Sequence, residues 1–233
     1  MPQVTTLYLL PGLLCDDEIW RHQRKALESE LDIHIPRLLG LNRITAMAER
    51  VLSKAPERFA LAGHSMGGRV ALEVHRLAHE RIERLMLLDT GVAPVRAGEA
   101  EEREVLVKLA RTKGMKALAE AWLPGMLSEK RWSDEGLVEP LRAMIERATP
   151  EEFAGEVSAL LNRPDARHEL GRITCPTTIV CGRYDTWSPL SRHEEMQRAI
   201  AHSKLVVIED SGHMTPAERP EAVTQALRNW LTN

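Results

Sequence analysis

A chain of 233 residues with 43% apolar and 28% charged residues has the length and composition of one globular domain, or of one domain carrying an insertion, and falls outside the disordered class. Its 31 Lys and Arg against 34 Asp and Glu leave a formal charge of -3, which argues against a protein built to grip nucleic acid phosphates. Aromatic residues make up only 4%, so the core must rest on aliphatic side chains and methionine.

In chain order, the first element is an apolar run over residues 4–10. The stretch 1–14 lacks a basic leader region and is broken by Pro11-Gly12, so it reads as a buried strand entering a loop rather than a signal peptide. A helical pattern over 18–30 follows, then a strand over 33–36, a helix over 44–55, a strand over 59–62, a helix over 67–79 and a strand over 84–88. Several of the strand runs are nearly continuous in apolar residues, the pattern of parallel strands buried on both faces.

From 94 to 171 no strand is predicted. Helical segments fall at 99–111, 115–123, 134–147 and 150–161, the last opened by the capping box Thr149-Pro150-Glu151-Glu152. The acidic run 99–104 reads as a solvated helix start. Strands at 177–180 and 205–208 and helices at 189–201 and 216–231 complete the chain, with Thr215-Pro216-Ala217-Glu218 read as a second capping box. The alternation predicts an α/β fold: a three-layer α/β/α sandwich with a mostly parallel sheet of about six strands. Residues 1–94 and 166–233 would form its core, and 95–165 a helical cap inserted between two strand-helix units.

Cys15, Cys175 and Cys181 form no CxxC pair and are too few for a disulfide framework. No apolar run approaches the roughly 18 residues of a membrane span. A soluble, cytoplasmic protein without membrane contact is the expectation, its oligomeric state left open.

The chemistry is carried first by Gly63-His64-Ser65-Met66-Gly67, a G-x-S-x-G sequence with an apolar run before it and a helical pattern after it. A sharp strand-to-helix turn lifts such a serine off the sheet, and the helix N-terminus favours developing negative charge. A serine nucleophile needs a base, and the base an orienting acid. Asp185 follows one downstream strand and His213 follows the next, so both fall on the rim where open parallel sheets place their sites.

These features resemble the α/β-hydrolase family. The likeness rests on Leu10-Pro11-Gly12-Leu13-Leu14, the turn at 63–67, the loop at 182–189 and Gly212-His213, and it spans nearly everything outside the helical block. The resemblance implies a catalytic triad of Ser65, Asp185 and His213, an oxyanion hole from the backbone N–H groups of Leu13 and Met66, and a sheet that begins at the family's third strand. Many members carry His-Gly where this chain has Pro11-Gly12.

His64 adjoins the serine but is read as packing, and Asp210 as a loop acid. Asp89 ends the strand after the turn and stays open as an alternative triad acid. His75 and His79, four apart, are read as a solvated helix face rather than a metal pair, and Cys15 as a small loop residue. Leu14, Trp187, Met214, Trp122 and Met126 are the candidate walls of an apolar substrate cleft, with Trp132 and Met115 more in the nature of packing. Five of the nine aromatic residues, Trp122, Trp132, Phe153, Tyr184 and Trp187, fall in the helical block or the 182–189 loop.

The expected activity is hydrolysis of a small or medium carboxylic ester or thioester with no metal or organic cofactor. Carbon–carbon bond hydrolysis, perhydrolysis or a menaquinone-pathway-like elimination could use the same residues. A non-hydrolytic ligand-binding homologue is the alternative of another class.

Overall fold

The structure is a computed structural model and describes residues 5–232. Its single sheet contains β1 (Thr6–Leu10), β2 (Asp32–His34), β3 (Phe59–His64), β4 (Ile82–Leu88), β5 (Thr177–Gly182) and β6 (Lys204–Ile208) in the order β2-β1-β3-β4-β5-β6. Every neighbouring pair is parallel. The first strand begins at Thr6, and Val4, expected to start it, lies outside the described residues. All six residues of β3 and all six of β5 are buried, as their continuous apolar character requires in a sheet covered on both faces. Each such fully buried Leu, Ile or Phe contributes about 1.5–3 kcal/mol.

Helices α1 (Arg21–Leu27), α2 (Ile44–Leu52) and α3 (Met66–Ala78) fill the connections among the first four strands. Between β4 and β5 lie α4 (Glu99–Trp122), α5 (Glu135–Glu146), α6 (Pro150–Leu161) and the short α7 (Arg167–Leu170). Then come α8 (Leu190–Ala199), α9 (Thr215–Glu218) and α10 (Pro220–Thr232). Helix α2 packs on α3, and α1 on α10, forming layers over a sheet whose central strands β1, β3, β4 and β5 hold the core. The strand order reverses between β1 and β3, so their carboxyl ends open a crevice at the switch point.

In the helical block, α4 packs against both α5 and α6. The two helices expected at 99–111 and 115–123 are joined through Gly114, whose φ of 82° and ψ of 172° kink the element. The Thr149 capping box forms in full, with both reciprocal bonds between Thr149 and Glu152.

Three expectations are corrected. The helix expected over 18–30 is a 3-10 turn (Asp17–Trp20) followed by α1. The final helix is interrupted at Arg219, because Pro220 cannot donate to a preceding turn and opens α10 afresh. Thr215 does not cap; its hydroxyl donates to Asp89 Oδ2, and Glu218 turns inward. Among the described residues no helix is long and apolar enough to cross a membrane.

Candidate active site

Ser65 sits between the end of β3 and the start of α3, with φ 53° and ψ -115°. No side chain adopts this region freely, so the surroundings must impose it. Gly63 and Gly67 make it possible: a Cβ on Gly63 would lie 2.3 Å from the Gly67 carbonyl oxygen, and one on Gly67 would lie 2.4 Å from that of Leu10. Strand, helix and the loop after β1 thus close to main-chain contact. The Ser65 N–H donates to the Leu88 carbonyl at 2.8 Å, and the Thr90 hydroxyl donates to the Ser65 carbonyl at 2.7 Å.

The turn delivers Ser65 Oγ to 2.7 Å from His213 Nε2, and His213 Nδ1 lies 2.8 Å from Asp185 Oδ2. With Nδ1–H donating to the carboxylate, Nε2 is left to accept the serine proton. Asp185 is fixed in turn, its Oδ1 accepting the N–H groups of Trp187 and Ser188, each at 2.8 Å. Burial works against the charge on His213, but the adjacent Asp185 carboxylate outweighs it and holds the imidazole above its ordinary value of 6.5. Burial likewise opposes ionisation of Asp185, and His213 with the Ser188 N–H outweighs it, leaving the carboxyl below its usual range.

Asp89, the rival acid, ends β4 with φ 48° and is fully buried. Its Oδ1 accepts the Gly182 N–H at 2.9 Å and its Oδ2 the Thr215 hydroxyl at 2.5 Å. Burial, then the neighbouring Asp185 charge, pushes it well above the usual carboxylate range. Asp89, Cys181 and Asp185 offer donor atoms within 4.8 Å of one another, yet both carboxylates are committed to protein donors and burial pushes the Cys181 thiol up. That donor set does not suit a metal ion.

His64 is buried; its Nε2 donates to the His213 carbonyl at 2.7 Å, and burial pulls it down to about 3, so it stays neutral and braces the base loop. Asp210 pairs with Lys130 at the surface. His79 is exposed, but His75 is buried, which corrects the reading of both as a solvated face. Cys15 is buried with its thiol pushed up by burial.

A cavity of about 500 Å³ opens over Ser65 and His213, and Leu13, Met66, Trp122, Met126, Trp187 and Met214 all face it. Leu14 does not: its side chain is wholly buried, and its N–H donates to Glu156 Oε2 at 2.8 Å. Trp132, by contrast, is 51% exposed. The expected apolar cleft describes only part of the wall, because charged side chains, mostly arginines, line the rest.

Two acids missed by the sequence reading hold the site together. Glu156 on α6 takes the Leu14 N–H, beside Leu13, and burial raises its carboxyl to about 8. Its signal was present, since Glu156 shares the apolar face of α6 with Phe153, Val157 and Leu160. Glu218 accepts the N–H groups of Ser128 at 2.8 Å, Gly212 at 2.9 Å and Met214 at 3.2 Å, joining the base loop to the helical block. The His213 N–H donates to the Met126 carbonyl at 2.8 Å across the same seam.

A sequence model described as the alpha/beta hydrolase family matches residues 7–226. The chain belongs to that family. This α/β-hydrolase is 25% identical to a pimeloyl-[acyl-carrier protein] methyl ester esterase of Nitrosomonas europaea, over 92% of this chain and 91% of the relative. A thermophilic esterase from Thermogutta terrifontis superposes with a TM-score of 0.88 at 30% identity, covering 99% of this chain and 90% of its own. The enol-lactonase from Burkholderia xenovorans gives 0.89 at 25% identity, over 99% and 92%. The protein is an enzyme of this family, carboxylesterase-like in its relatives.

Proposed function

We propose that the protein is a serine hydrolase that cleaves a carboxylic ester or thioester through an acyl-enzyme on Ser65. The observation that carries this reading is the unbroken hydrogen-bonded chain from Ser65 Oγ through His213 to Asp185 Oδ2 at the floor of the cavity. Ser65 attacks the substrate carbonyl as its proton passes to His213 Nε2, and Asp185 stabilises the imidazolium. The oxyanion points at the N–H groups of Leu13 and Met66. As the first residue of α3, Met66 has no intrahelical acceptor for its N–H. Each such donor contributes on the order of 3 kcal/mol at the transition state.

His213 then returns its proton to the departing alkoxide or thiolate. It next takes a proton from water as the water oxygen attacks the acyl carbonyl, and gives that proton to Ser65 Oγ as the C–O bond to the serine breaks and the acid departs. The helical block acts as a cap: it roofs the cavity with Trp122 and Met126, and its seam with the base loop fixes His213. A cavity of about 500 Å³ suits a small or medium acyl group. The esterases among the relatives support ester chemistry.

The test is turnover of p-nitrophenyl esters of graded acyl length by the wild type and Ser65→Ala. Wild-type turnover with loss of at least about 10³-fold in the variant is expected. Equal turnover by both proteins contradicts the proposal.

A further inference from the structure

The wall of the cavity beyond Ser65 is basic. Five arginines, Arg69, Arg96, Arg103, Arg163 and Arg192, face the space, against two glutamates, Glu99 and Glu102. The third acid there, Asp89, is driven toward its neutral form by burial and by Asp185. An excess of three positive charges therefore gathers at one site of a chain whose formal net charge is -3.

The pairing within this group is uneven. Glu99 receives Arg163 through both oxygens, each at 2.7 Å, and Arg103 Nε at 2.9 Å. Burial opposes its charge, but those guanidiniums outweigh burial and hold it down at about 2. Arg96 pairs with Glu102 at the rim. Arg69 and Arg192 are left over: among the described residues neither makes an ion pair, and their bonds go to main-chain carbonyls. Arg69 Nη1 donates to Ala93 at 3.0 Å, and Arg192 Nη1 to Trp187 at 3.2 Å.

Burial, then the charge of Arg163, pulls Arg69 down to about 9, the condition of a guanidinium short of negative charge. Arg69 stands one turn beyond Ser65 on α3, its N–H 3.4 Å from the Ser65 carbonyl. Arg192 stands on α8 just after the loop that carries Asp185. From these two helices both side chains line the cavity that holds Ser65 and His213.

We propose that Arg69 and Arg192 form a subsite for an ionised carboxylate on the substrate, so that the preferred ester carries a second, free carboxylate. A planar guanidinium fork matches a carboxylate bidentately, and beside the half-buried Arg69 the pairing is stronger than at an open surface. The surrounding positive excess also draws an anionic ester toward the mouth. The inference rests on the serine-hydrolase reading for its chemistry but not for its binding.

The experiment compares monomethyl adipate with methyl hexanoate, which share a six-carbon acyl chain, in the wild type and in Arg69→Gln and Arg192→Gln. The expected result is a preference for the adipate monoester of about tenfold or more in kcat/KM, falling with added salt. Each substitution should cost the anionic ester about tenfold more than the neutral one, chiefly through KM. Because Arg192 is exposed, its variant keeps the test open if Arg69→Gln fails to fold. Binding of adipate to Ser65→Ala, read by calorimetry, separates the two claims: it should persist without turnover and weaken in the Ser65→Ala/Arg192→Gln double variant. Equal use of the two esters, equal losses on both, or inorganic phosphate binding as tightly as adipate overturns the carboxylate subsite. Absence of any ester turnover with adipate binding intact overturns only the hydrolase reading.

Discussion

Thr215 donates its hydroxyl to Asp89 Oδ2 at 2.5 Å, and the other oxygen of Asp89 takes the Gly182 N–H. Both faces of this buried acid are thereby committed, while the imidazole Nδ1 of His213 is taken by Asp185. Asp185→Asn should therefore lower kcat by about 10³-fold or more, because the amide cannot hold the imidazole in the tautomer that accepts the serine proton. Asp89→Asn should keep kcat within about tenfold and cost about 1–3 kcal/mol of stability through its disturbed bonds. Steady-state kinetics with urea unfolding checks both, and the reverse ranking would make Asp89 the acid.

The rate should depend on pH through His213, which accepts a proton only when neutral. Because Asp185 outweighs burial and raises the imidazole above 6.5, the acid limb of kcat/KM should have its midpoint above that value. In Asp185→Asn the residual activity should show a lower midpoint, since the largest influence opposing burial is then gone. The linked stability has the opposite sign: the raised pKa contributes fully below the unfolded value and is lost as pH rises through the folded one. A pH–rate profile of both proteins reads the shift.

Substitution at the turn should be felt by the whole fold. Gly67→Ala places a Cβ 2.4 Å from the Leu10 carbonyl, backbone against backbone, with no flexible side chain to yield. A loss on the order of 3–5 kcal/mol is expected. Gly171, the C-cap of α7, has right-handed helical backbone angles and open space around it, and provides the contrast. There Ala should be neutral or add about 0.4–1 kcal/mol by restricting the unfolded chain. Urea midpoints of the two variants compare them directly.

Glu156 makes stability pH-dependent in a definite direction. Burial raises its carboxyl from 4.5 to about 8, so between those values the unfolded chain releases a proton that the native state keeps. Stability then falls as pH rises across that window. Glu156→Gln keeps an oxygen for the Leu14 N–H and has no proton to lose. Its melting temperature, matched to the wild type near pH 4.5, should exceed it increasingly toward pH 8.5; a constant difference would contradict the assignment.

Much of the fold was legible because local pattern and tertiary demand agree. Nearly continuous apolar runs such as Phe59–His64 and Thr177–Gly182 are what a doubly covered parallel sheet needs, and all six strands lie where such runs fall. The close approaches at Gly63 and Gly67 explain why the Gly-x-Ser-x-Gly spacing identified the turn. Ser65, Asp185 and His213 could be placed on one rim because each follows a strand. The rest depends on contacts between distant parts of the chain. Glu218 fitted a capping pattern locally, yet Ser128, 90 residues away, draws it inward. Leu14 looked like a cavity wall until Glu156, 142 residues away, turned its backbone. Arg69, Arg103, Arg163 and Arg192 are unremarkable as charges in sequence, and only the packing of α3, α4, α8 and the segment after α6 around one cavity makes them a basic wall.

The central claim is that Ser65 is an activated nucleophile. Fluorophosphonate labelling followed by intact-mass and peptide analysis tests it most directly. The account predicts a single stoichiometric adduct on Ser65, abolished in Ser65→Ala and strongly slowed in His213→Ala. A wild-type protein that takes up no label, or takes it up at another residue, would contradict it.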